Sequence, residues 1–157
     1  MISQVVARWA QLYNGHKLVS DAVTFAHLAG ILLGGGVAVA ADRAAIQLAR
    51  ASDVPFIPPL GGRAVHRWVA ASLVLIVVSG LLMLFADLHT YVTAPLFWVK
   101  MGLTVLLVAN GWLRLRAEQA VVRGVQVARA RFRTTSIASL TLWLIILLAG
   151  TMLVTSD

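Results

Sequence analysis

The chain has no cysteine. This excludes disulfides, thiolate-held iron–sulfur clusters and a covalently attached c-type haem. Charge is scarce too: Asp, Glu, Lys and Arg make up 12% of the 157 residues, against roughly a quarter in an ordinary soluble domain. Carboxylates are scarcest, six against thirteen Lys and Arg. No phosphate-binding loop, HExxH motif, nucleophile–base pair or pair of carboxylates within an apolar run is present. Asp21, Asp42 and Asp87 fall at the ends of apolar runs. A proton-driven pump would bury at least one carboxylate, so that class loses ground.

What is present is apolar. Hydrophobic residues make up 60% of the chain, and the mean hydropathy is +0.88. So short a chain is one domain by size, and a soluble fold of this size could not hide that much apolar surface. Four long apolar runs cover about 19–41, 68–86, 95–113 and 137–154. Each is close to the ~20 residues that cross a ~30 Å hydrocarbon layer. A backbone in lipid must satisfy its own hydrogen bonds, so the runs are predicted to be helices. The expected fold is an all-α integral membrane four-helix bundle, one transmembrane domain over 1–157.

The basic residues orient it. Arg43, Arg50, Arg63 and Arg67 lie between the first and second runs, and Arg114, Arg116, Arg123, Arg129, Arg131 and Arg133 between the third and fourth. The opposite side carries only Arg8 and Lys17, and the connection 87–94 has neither Lys nor Arg. The positive-inside rule puts both arginine-rich loops in the cytoplasm and both termini on the periplasmic side of a bacterial inner membrane. The pI of about 11.4 is then a topology signal, and nucleic acid is not the expected partner. The loop arginines suit anionic headgroups.

Segment 1–16 is too short and too interrupted, by Arg8 and Gln11, for a signal peptide. Val5, Val6, Trp9, Leu12 and Tyr13 recur at helical spacing, which predicts an amphipathic helix on the outer membrane surface. Residues 42–51 are expected to continue the first helix past the membrane. The run Asp53-Val-Pro-Phe-Ile-Pro-Pro-Leu-Gly-Gly predicts an extended linker. Segment 114–133 is expected to extend the third helix and turn near Gly124. Trp9, Trp68, Trp98 and Tyr91 fit an interfacial aromatic belt.

Ionisable groups inside spans are functional candidates because burying them is costly. His27 lies roughly 8 residues into the first span and Lys100 roughly 5 into the third, each on the order of 10 Å below the outer surface. A neutral imidazole there suits an axial ligand for haem iron. Gly34, within Gly34-Gly35-Gly36, leaves room for a flat macrocycle or for another helix. Equally, His27 suits a hydrogen bond to a neighbouring helix. Lys100 either snorkels to the interface or pairs with an anion such as a haem propionate or a substrate carboxylate. His89, beyond the second span on the outer side, is the better placed second iron ligand. His66, at the cytoplasmic mouth, and Met83, in the outer half, are weaker metal-ligand candidates, and His16 is a possible cap of an outer site.

His27-Leu-Ala-Gly with Arg43 sixteen positions after the histidine, and Pro95-Leu-Phe-Trp-Val-Lys100-Met-Gly-Leu, resemble the first and third helices of a group of small four-helix bacterial membrane proteins. The group includes the HemJ-type protoporphyrinogen oxidases, the membrane domain of CopD-type copper proteins and uncharacterised relatives. The resemblance covers nearly the whole chain in topology but only a few residues in motif. It implies a b-type haem protein in which His27 and Lys100 are the functional pair. The fourth span lacks the polar start and basic finish of the HemJ type, and the CopD type is disfavoured by the missing cysteine and scattered methionines. The leading expectation is a haem b-binding membrane redox protein, an oxidoreductase that transfers electrons or oxidises a porphyrinogen or quinone. Two alternatives stay open. One is a non-enzymatic subunit or homo-oligomer in which Ser72, Ser79, Thr104 and Ser139 are helix contacts. The other is a small metal or solute transporter, which the apolar inner halves of the spans disfavour.

Overall fold

A computed structural model describes residues 2–50, 63–124 and 126–155. The linker expected at 53–62 lies outside the described residues. The described chain is helical: α1 Ile2–Gly15, α2 Lys17–Arg50, α3 Arg63–Ala86, α4 Leu88–Thr93, α5 Pro95–Val122 and α6 Gln126–Thr155. Helices α2, α3, α5 and α6 are long and apolar enough to cross a membrane. Many large side chains on their outer faces are exposed, among them Leu18, Phe25, Leu32, Val74, Val105 and Leu144. Such surfaces suit a lipid bilayer.

The helices outrun the apolar runs. At 1.5 Å per residue the 34 residues of α2 extend about 50 Å, well past a ~30 Å hydrocarbon layer. The first helix therefore does continue past residue 41, as its composition predicts. Helix α5 runs on to Val122 and ends at Arg123, and Gly124 takes a φ of 81°. The Gly124 N–H bonds the Val121 carbonyl at 2.9 Å, a left-handed glycine stop of the usual kind. Helix α6 begins at once, so much of the second arginine-rich segment is helical. At the other end, the Asp87 carboxylate accepts from the Thr90 N–H at 3.3 Å and caps α4. Pro95 opens α5, where its missing N–H costs nothing.

The two ends of the bundle are distinct. The terminal end holds the junction of α1 with α2, the end of α3 and α4. The arginine end holds the last turns of α2, the start of α3, and the end of α5 with the start of α6. In cross-section the long helices form an arc in the order α3, α2, α6, α5. No Cα of α3 lies within 8 Å of one of α5, so the arc stays open along one side, bridged at the terminal end by α4.

Helix α2 is the hub because its inner face is small. A β-carbon on Gly34 would stand 2.6 Å from Ser72 Cβ, so the α2 and α3 backbones can meet only if that position is glycine. One residue on, Gly35 faces the Trp143 ring of α6. Gly30, Gly34, Ala38 and Ala45 continue the buried stripe, the close-packing pattern of helices in lipid, where small residues let backbones approach. Trp143 also packs with Ala38 and Leu107, at the centre of the arc. Helix α1 rests on α2 and α3. Trp9 Nε1 donates to the Leu82 carbonyl at 2.7 Å and Asn14 Nδ2 to the Ala86 carbonyl at 3.3 Å. The Ala86 carbonyl is one of the groups that a helix C-terminus leaves without an intrahelical partner.

Candidate functional site

His27 stands on α2 against α3, at the terminal end. Its Nδ1 lies 3.1 Å from the Ile76 carbonyl and 3.0 Å from Ser79 Oγ. A carbonyl only accepts, so the first contact assigns the proton to Nδ1. Ser79 Oγ is free to accept as well, because its own hydrogen goes to the Leu75 carbonyl at 2.6 Å. Ser79 is 2% exposed, which gives this anchor a fixed seat. Gly80 makes room for the ring: a β-carbon there would lie 3.3 Å from His27 Cε1. Nε2 is left with its lone pair and without a hydrogen-bond partner among the described residues. A donated Nδ1–H and a bare Nε2 are the state in which a histidine binds a metal.

Lys100 reaches from α5 across to α6. Its Nζ lies 3.4 Å from where a β-carbon on Gly150 would stand. It forms no ion pair with a carboxylate among the described residues, and its charge acts on the His27 ring. Thr104 bonds back to the Lys100 carbonyl at 2.9 Å and leaves the ammonium alone. The pair inferred from depth is therefore brought within electrostatic reach, and each partner keeps an unused group.

The other candidates separate from this pair. The face of Gly34 is filled by Ser72, so of its two expected uses the structure shows the helix contact. His89 lies exposed on α4. Met83 is half-buried on α3. Among the described residues, no three His, Asp or Glu side chains gather as a metal cage would require.

A second polar cluster, at the arginine end, overturns two expectations. Asp42 is no end-of-helix carboxylate: it is 1% exposed. Arg114 does not face the headgroups as the arginines of that segment are expected to: its side chain is 11% exposed, with Nε 2.6 Å from Asp42 Oδ1. Ser136 Oγ of α6 accepts from the same Nε at 3.4 Å, and Ser136 and Ser139 are both buried. Arg114 Nη1 lies 3.7 Å from Glu118 Oε2, one turn on along α5, and His66 Nε2 lies 3.1 Å from that oxygen. Arg114 also stacks on the buried Phe132, 5.2 Å from the ring centre. All four long helices contribute, so the inner half of the bundle is not uniformly apolar. His66, expected as a weak inner ligand, is engaged by Glu118.

Spacing held the signal for this cluster. Gly30, Gly34, Ala38 and Asp42 follow one another at intervals of four on α2, so the buried stripe leads to the carboxylate. Arg114 and Glu118 are four apart, and Ser136 and Ser139 three apart, each pair on one helix face.

No protein-family model, curated protein or solved structure matches the chain. The donor chemistry alone therefore tests whether haem fits. A tautomer-fixed imidazole with a free Nε2 suits iron, and an unpaired ammonium within its electrostatic reach suits a carboxylate. Those two groups are of the kinds that haem b uses, an imidazole for iron and a cation for a propionate.

Proposed function

We propose that this chain is a haem b-binding membrane redox protein of the bacterial inner membrane. It is oriented with the arginine end in the cytoplasm and both termini outside, and α1 serves as an amphipathic helix at the outer surface. The orientation rests on the arginine count of the two sides. The observation that carries the functional reading is the double anchor on His27 Nδ1, which leaves Nε2 bare at a half-buried site in a span.

His27 would hold the iron, and Lys100 would neutralise a propionate or orient an anionic substrate. Bound haem b supplies one-electron redox chemistry. The chain's own contribution is to fix the imidazole tautomer through Ile76 and Ser79, to place a cation beside it and to keep water out with apolar helices. Porphyrinogen and quinone are the substrate classes that suit a lipid-facing site of this kind. The test is an absorption spectrum of protein purified gently in detergent. A Soret band that disappears in His27→Ala supports the reading. Its absence from the intact protein overturns it.

A further inference from the structure

The open side of the arc encloses a cleft of about 260 Å³ at the arginine end. Its walls are α3, with Val69, Ala70 and Leu73, and α5, with Val108, Gly111 and Trp112. Ala38 and Trp143 form its floor, and Asp42, His66 and Arg114 its polar end. The α3 and α5 backbones stay apart and are joined by His66 and Glu118 at the arginine end, so the cleft lies along the side of the bundle between them. Ala70, Val108 and Trp112, at its mouth, are exposed. At Gly111 the space is free: a β-carbon there would meet nothing within 4 Å.

The polar end selects the occupant. Arg114 spends its Nε on Asp42 and Ser136; among the described residues its terminal nitrogens have Glu118 at 3.7 Å, with the Phe132 ring against the guanidinium. A largely buried guanidinium with unfilled N–H groups calls for an acceptor. An anionic one is disfavoured. Asp42 and Glu118 flank Arg114, so with a neutral His66 the cluster sums to about −1 and with a charged one to about zero, and a phosphate would find no surplus positive charge at the buried end, Arg116 lying outside it over the Trp112 ring. The acceptor should be a neutral oxygen. The walls are largely apolar, with Trp143 and, under the Arg116 guanidinium, Trp112 among them, which suits a flat ring. The volume holds one ring and not a tetrapyrrole, and entry from lipid requires an apolar tail.

We propose that this cleft binds the head ring of a lipid-soluble quinone, with a ring carbonyl on Arg114. The assignment does not depend on haem at the other end.

The test is photolabelling in phosphatidylcholine nanodiscs with an azido-benzoquinone carrying a short alkyl tail, followed by peptide mapping. Labelling should saturate and fall on residues 65–73 and 107–115. Gly111→Leu fills free space without disturbing the buried ion pair, and should reduce labelling there at least about tenfold at unchanged thermal stability. Ala70→Leu should act in the same direction. Label spread over the lipid-facing surface overturns the proposal. So does unchanged labelling in Gly111→Leu, or displacement of the probe by phosphatidylglycerol, which would mark the cleft as an anionic-lipid site. Because none of these readouts uses a haem spectrum, failure here is distinguishable from failure of the haem reading.

Discussion

The two ends of this bundle bury charge in opposite ways. At the terminal end His27 keeps a free lone pair and Lys100, whose charge acts on the ring, a free ammonium. At the arginine end Asp42, Arg114, Glu118 and His66 spend most of their capacity on one another, and Ser136 takes a further bond from Arg114. An unpaired polar group in a low-dielectric bundle is costly, so a chain that leaves two of them unpaired is expected to gain something from a ligand. A mutually paired cluster can instead be retained for the way it joins helices, and here it ties together all four. The first pattern points to chemistry and the second to architecture, although the arginine end keeps enough unused N–H on Arg114 to serve a neutral ligand.

The sharpest way to break this contrast is to unpair the arginine end. Arg114→Ala strands Asp42 in an almost fully buried position and should cost about 3–5 kcal/mol, whereas Asp42→Asn with Arg114→Met should recover most of the loss. Chemical unfolding in a mild detergent measures both. If the single and double variants were equally unstable, the cluster would not be a pair at all. Next in size is the α2–α3 seam. Gly34→Leu must push Ser72 aside and should cost about 1–3 kcal/mol. Gly36→Ala, two residues on, meets nothing within 4 Å and should be neutral or stabilising by up to about 1 kcal/mol. Matched melting curves separate a packing glycine from a free one.

Smaller effects are expected at the terminal end, where less is paired. Ser79→Ala removes one of two acceptors for the His27 ring and should cost about 1 kcal/mol. The Ile76 carbonyl keeps the tautomer, so a haem spectrum should shift rather than vanish. Complete loss of haem would mean that Ser79 does more than orient the ring. An effect of similar size belongs to Trp9→Phe, which gives up the bond to the Leu82 carbonyl and about 0.5–1.5 kcal/mol. Hydrogen exchange should show it as faster opening of α1 with α2–α6 unchanged.

Much of this was legible in the sequence, for physical reasons that can be named. Runs of ~20 apolar residues have few alternatives to spanning helices. Gly124 announced the stop of α5, and residues 42–50 read as a continuing helix. His27 and Lys100 stood out because each interrupts an apolar run alone. The arginine-end cluster was hidden by the rule that made the topology readable. Arginines beyond a span are ordinarily topogenic, so Arg114 was counted among its neighbours, and Asp42 passed as the last residue of a run. Which arginine turns inward depends on where the α2 stripe meets α5 and α6, and a list of spans does not hold that information. The purpose of the glycine run was equally underdetermined: room for a ligand and room for a helix leave the same residues, and only the position of Ser72 decides for Gly34.

The claim on which the functional account rests is that His27 presents a free Nε2 to haem iron. A pyridine-haemochrome assay on protein purified gently from membranes tests it most directly, with His27→Ala and His66→Ala beside the intact chain. The account predicts a b-type haemochrome in the intact protein and in His66→Ala, and none in His27→Ala. No haem in the intact protein, or equal haem in His27→Ala, would contradict it.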